Sequence, residues 1–159
     1  MTAIAHTPDH SHEPMEPAAR APSRARAHAG KPSSKALWAG RTLSGLAVVF
    51  LLFDATIKVL KLAPAVAGTV QLGYPESVIV GLGVLQLVCL LAYLAPRTSV
   101  LGALLWTGYL GGAIASHLRV GDPLFSHTLF PIYVATLLWA GLWLRDPRLR
   151  ALLPLQTKG

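Results

Sequence analysis

Cysteine is nearly missing from this chain, with Cys89 standing alone among 159 residues. One thiol cannot make an intrachain disulfide, a dithiol redox couple, a cysteine-rich zinc site or a cysteine-ligated iron–sulfur cluster. Charge is scarce as well. Only 13% of the residues are Asp, Glu, Lys or Arg, against roughly 25% in soluble domains, which excludes a disordered polyelectrolyte. No stretch interleaves aromatic with basic residues, so the net charge of +7 does not point to a nucleic-acid partner. Apolar residues are what the chain has in quantity: 53% of the sequence, with a mean hydropathy of +0.50. At a length suited to one domain, that composition belongs in a lipid bilayer.

Residues 1–36 are the exception. Five prolines, four of the six histidines and eight charged residues fall here without apolar periodicity, so the segment reads as a disordered cytoplasmic tail rich in Pro, His and Arg. No apolar core of 7 to 15 residues follows its bases before residue 43, which argues against a secretory signal. Its Arg, Ser and Ala content resembles a mitochondrial transit peptide, but Asp9, Glu13 and Glu16 argue against that reading. His6, His10 and His12 are a metal-binding tract only by composition.

Beyond the tail, charges sit almost entirely between four apolar runs. The spacing predicts an all-α, four-helix membrane bundle over residues 37–155, with helices at about 37–61, 76–95, 98–117 and 124–144, each near the ~20 residues that cross a ~30 Å hydrocarbon layer. Turn residues agree with these bounds. Pro75 and Glu76 open the second helix, where a missing N–H and an acid both suit the helix start. Ala95-Pro96-Arg97-Thr98 ends it and offers Thr98 or Ser99 as the next cap, giving a tight hairpin. Asp146-Pro147 opens a short amphipathic piece, Arg148 to Leu155, expected on the membrane surface.

Ten basic residues lie on the side of the two termini: five in the tail, then Arg97, Arg145, Arg148, Arg150 and Lys158. Lys58, Lys61 and Arg119 lie on the other, and Arg41 marks the inner end of the first helix. The positive-inside rule then places both termini of a multi-pass membrane protein in the cytoplasm. Reporter domains fused after residue 35 and after residue 155 should both report cytoplasm; a signal from the opposite side of the membrane from either overturns the topology.

Gly108-x-x-x-Gly112-x-x-x-Ser116 puts small residues on one face of the third helix, a pattern used for close helix packing within a bundle or across a homodimer. Together with Gly73-Tyr74-Pro75, Pro96-Arg97-Thr98, the run from Gly108 to Arg119 and the ending from Leu144 to Pro154, it resembles the DoxX-like family of small four-helix bacterial membrane proteins. The resemblance covers about residues 37–155. It implies a place in a bacterial inner membrane and a link to quinone chemistry, since the family takes its name from a small subunit of an archaeal thiosulfate:quinone oxidoreductase, but it brings no set of catalytic residues.

Residue by residue, the strongest candidate is Asp54 with Lys58, an i, i+4 pair with the acid first, because an acid inside a membrane is costly and functional by default. The competing reading is an ion pair that only fixes helix one against its neighbours. His117 and His127 flank the outer loop with Arg119 and Asp122 between them, placed to relay protons, to touch a quinone headgroup or simply to hydrogen-bond at the interface. Their spacing carries no haem or metal fingerprint. Trp139 and Trp143 read as interface anchors, and Cys89 as a packed small side chain. Aligning depths from Arg41, Arg97 and Arg145 puts Asp54 at ~20 Å and Tyr109 and Tyr133 each at ~18 Å, while Gln86 lies ~15 Å down from Glu76. The expectation is a polar cavity built from Asp54, Gln86, Tyr109 and Tyr133 and topped by Lys58, His117 and His127; a closed hydrogen-bonded plug is the alternative.

Three functions fit these residues. One is a subunit or accessory of a quinone-linked membrane redox system, with quinone as cofactor and a membrane redox partner. The second is a pathway for protons or a small solute. The third is packing or assembly without chemistry, which includes a homodimer.

Overall fold

The computed structural model describes residues 33–152; the expected tail and the last residues of the C-terminal segment lie outside the described residues apart from Ser33 to Ala36. Six α-helices follow one another: α1 (Ser34–Val59), α2 (Ala63–Gln71), α3 (Ile79–Leu94), α4 (Ser99–Val120), α5 (Phe130–Arg145) and α6 (Pro147–Leu152). A 3₁₀ turn, Glu76–Val78, leads into α3, and a π-helical turn, Leu124–Thr128, leads into α5. With those turns included, four helical segments of 26, 19, 22 and 22 residues are long and apolar enough to span a bilayer.

Local chemistry sets the boundaries. The Ser33 hydroxyl accepts the Ala36 N–H at 3.2 Å, so α1 starts at Ser34, three residues earlier than apolar content alone predicts. It stops at Val59, just before Lys61 turns into the left-handed region at φ 50°. Gly121, at φ 73°, closes α4 three residues later than expected. Thr98 is the residue before α4, but its hydroxyl donates back to the Ala92 carbonyl at 2.8 Å and caps no N–H of α4. Asp146 does act as a cap, accepting the Arg148 N–H at 2.8 Å as α6 begins. The helix α2 was not foreseen: nine mostly small apolar residues between Leu62 and Leu72 are too short to register as a span.

The spanning helices form a square in which α1 and α4 each pack on both α3 and α5, so α1 and α4 are diagonal. Buried positions on α1 (Gly40, Ser44, Ala47, Leu51, Ala55) and on α3 (Ile79, Gly83, Gln86, Cys89, Leu90, Tyr93) recur at helical spacing along one face of each helix, the stripe that turns into the bundle. Glycines set the closest approaches. A Cβ on Gly40 would lie 2.9 Å from the Gly141 carbonyl, and one on Gly83 would lie 3.0 Å from the Ala55 carbonyl. On α4 the close approach is at Gly102, against the backbone of Ala92 and Tyr93.

The end that carries the start of α1 and the end of α5 is called proximal here. The interior of that half of the bundle is filled by Leu51, Leu90, Tyr93, Trp106, Leu138 and Leu142. Tyr93, fully buried, donates to the Leu138 carbonyl at 2.9 Å; its oxygen therefore accepts from the Ser44 hydroxyl at 2.9 Å, tying α3, α5 and α1 together. The distal half is not filled in this way.

Candidate functional site

The α3–α4 hairpin is tight at its turn and opens away from it, leaving a cavity of about 610 Å³ in the distal half. Asp54 and Lys58 of α1, Gln86 of α3, Tyr109 and His117 of α4, and Thr69 and Tyr74 from the α2 region all face it. Its remaining wall is apolar. Leu85 of α3 and Leu104 and Leu105 of α4 line it and are also exposed on the outer surface, so the cavity reaches the lipid-facing side between α3 and α4.

Gln86 organises the polar wall. It is buried, 1% exposed, and its Nε2 donates to Asp54 Oδ2 at 2.6 Å. The same carboxylate oxygen accepts from Lys58 Nζ. One amide donor and one ammonium thus converge on one acid, which is how a bilayer tolerates a carboxylate. The other end of the amide, Gln86 Oε1, is buried with no hydrogen-bond partner among the described residues. An orphaned buried acceptor of this kind costs about 1–3 kcal/mol unless something donates to it.

Toward the distal face the cavity is roofed by the α2 region. The Ser116 hydroxyl donates to the Gly112 carbonyl at 2.8 Å, so the Tyr74 hydroxyl donates to Ser116 at 2.7 Å. Arg119 donates to the Leu72 carbonyl and lies over the Tyr74 ring at 5.9 Å. Beside this roof, His117 Nδ1 is 2.6 Å from Asp122 Oδ2.

The fold brings Asp54, Lys58, Gln86, Tyr109 and His117 to one cavity, and two residues expected with them, Tyr133 and His127, lie elsewhere. Tyr133 is 49% exposed: the inward stripe of α5 is Pro131, Val134, Leu138 and Gly141, and a residue beside Val134 points to lipid. His127 is exposed and bonded to Ser126 at 2.8 Å; its ring is 6.0 Å from that of His117, outside the cavity wall. Gly108 and Gly112 line the cavity, and a Cβ on either would meet nothing within 4 Å, so close helix approach occurs at Gly102 instead. Trp139 is half-buried and donates to the Thr107 hydroxyl at 2.9 Å, joining α5 to α4. Cys89 is buried in the cavity wall. Tyr74 stood out in the sequence only within the Gly73-Tyr74-Pro75 motif and Thr69 not at all; both reach the cavity because α2 folds over the bundle. Among the described residues no three His, Cys, Asp or Glu side chains come together as a metal site would require.

No curated protein matches the chain significantly, and no solved structure does. The model of the DoxX-like family matches residues 42–141. That stretch contains Asp54, Lys58, Gln86, Tyr109 and His117 and all of the α3–α4 hairpin. With well over half its length matched and four helices able to span a membrane, this chain is a multi-pass membrane protein that belongs to the DoxX-like family.

Proposed function

We propose that the distal cavity binds a lipid-soluble molecule with a hydrogen-bonding head, of the quinone class, and that the protein serves as a subunit or accessory of a membrane redox system. The observation that carries this reading is the Asp54–Lys58–Gln86 cluster in the wall of a cavity that opens to lipid. A ligand arriving from the bilayer has to be apolar over most of its surface, as the leucine-lined wall is. A ring bearing carbonyls or hydroxyls then meets both kinds of partner. Lys58 donates to a carbonyl, and Gln86 Oε1 and the free valences of Asp54 accept from a hydroxyl. The volume falls within the ~300–1,000 Å³ of small-molecule sites.

Trp106 stacks edge-on against Tyr109 at 5.5 Å, which gives the site an internal reporter. A short-chain benzoquinone titrated into the protein in nanodiscs should quench tryptophan emission saturably. Gln86→Leu should weaken that binding about tenfold, the equivalent of one hydrogen bond to the ligand. Quenching that rises linearly and equally in both proteins rules the site out.

A proton pathway is the second reading, favoured by one observation. His117 faces the cavity and pairs with Asp122 in the distal loop, a connection from the buried acid toward the aqueous face. Both readings place the termini in the cytoplasm, in keeping with the distribution of Lys and Arg.

A further inference from the structure

The proximal end holds a separate cavity of about 360 Å³, bounded by Arg41 of α1, Ser99 of α4, Arg145 of α5 and Arg148 of α6, with Leu94 and Leu142 beside them. None of these three guanidinium groups has an ion-pair partner among the described residues. The acid in the cavity wall, Asp146, is already engaged in capping α6 through its Oδ1. Three cations therefore face one carboxylate.

Arg145 makes the arrangement more than a positive surface. Its guanidinium lies 5.1 Å from the centre of the Tyr93 ring, which Ser44 and Leu138 hold in place. Arg145 Nε and Nη2 are buried without a partner among the described residues, and so are Nε and Nη2 of Arg150 on α6. Buried guanidinium donors without acceptors are expensive. A guanidinium fixed in this way, with Arg41 and Arg148 beside it in the cavity wall, suits a tetrahedral oxyanion, whose oxygens accept from several N–H groups at once. The site also sits where α1, α4 and α5 reach the end of their apolar runs, which is the depth of lipid phosphates. Leucines next to the arginines suit a headgroup that continues into acyl chain.

We propose that this proximal cavity binds a phosphate-type oxyanion, as carried by an anionic phospholipid headgroup, between Arg41, Arg145 and Arg148. The site is independent of the distal cavity and of any quinone.

The test uses the full chain in neutral detergent. Dioctanoyl phosphatidylglycerol, dioctanoyl phosphatidylcholine and inorganic phosphate at matched ionic strength are each titrated while thermal unfolding is followed. Phosphatidylglycerol should raise the Tm saturably, with phosphatidylcholine much weaker. Arg148→Gln and Arg41→Gln, both at exposed positions, should each weaken that response at least tenfold, and Arg145→Gln should abolish it. If Arg145→Gln does not fold, the two exposed variants decide the matter. A saturable, equally arginine-dependent response to inorganic phosphate supports the oxyanion site and identifies free phosphate as a source. A response to phosphatidylglycerol that is identical in wild type and variants, or no saturable response to either anion, overturns the proposal.

Discussion

Gly102→Ala should cost this protein more than about 3 kcal/mol, beyond the usual range for overpacking by one methyl group, and lower its Tm in detergent by on the order of ten degrees or more. The added Cβ would lie 2.6 Å from the Ala92 carbonyl carbon and closer still to the Tyr93 backbone. These are main-chain atoms in the last turn of α3, so no flexible side chain can swing aside. Relief requires α3 and α4 to separate at the point where Pro96 turns one into the other. Separation there also pulls on Tyr93, whose hydroxyl joins α1 and α5. Gly108→Ala is the matched control, since its Cβ meets open space; it should change stability by less than about 1 kcal/mol, the scale of helix propensity. Thermal unfolding of the two variants side by side checks the contrast. Equal melting of Gly102→Ala and wild type would mean that the hairpin is not closed as described.

That contrast also shows what the sequence could reveal. Four spans, the hairpin at Pro96 and the stop at Asp146 were legible because each follows from local chemistry: long uncharged runs, a proline, a cap. A fixed rise of 1.5 Å per residue suggested Asp54, Gln86 and Tyr109 as neighbours across helices, and all three line one cavity. Azimuth was not legible. Tyr133 is next to the cavity-lining Val134 in sequence but faces away from the cavity, because which stripe of α5 turns inward is settled by its neighbours. The same limit applies to the glycines. Gly108 and Gly112 carry the recognised spacing and border a cavity, whereas Gly40, Gly83 and Gly102, without that spacing, set the helix contacts. Partners distant in sequence, such as Tyr93 with Ser44 or Tyr74 with Ser116, leave no local trace.

Asp54→Leu should be the most damaging change in the cavity wall, and adding Lys58→Met should repair its stability without repairing its function. In the single variant the Lys58 side chain, 16% exposed, is left in a largely apolar wall without its partner, and Gln86 Nε2 loses its acceptor as well. Breaking a buried pair from one side costs about 3–5 kcal/mol. Replacing both residues by apolar side chains of similar volume removes the unpartnered lysine, and such exchanges are often neutral or stabilising. The double variant should therefore melt within a few degrees of wild type. If Asp54 and Lys58 served only to fix α1 against α3, nothing else would change. If they form the head-binding wall of a quinone-class site, the double variant should remain folded and lose saturable quenching by the short-chain benzoquinone. Measuring unfolding and quenching on the same three preparations separates the two roles. A well-folded double variant that binds the quinone as wild type does would leave the pair a purely structural one.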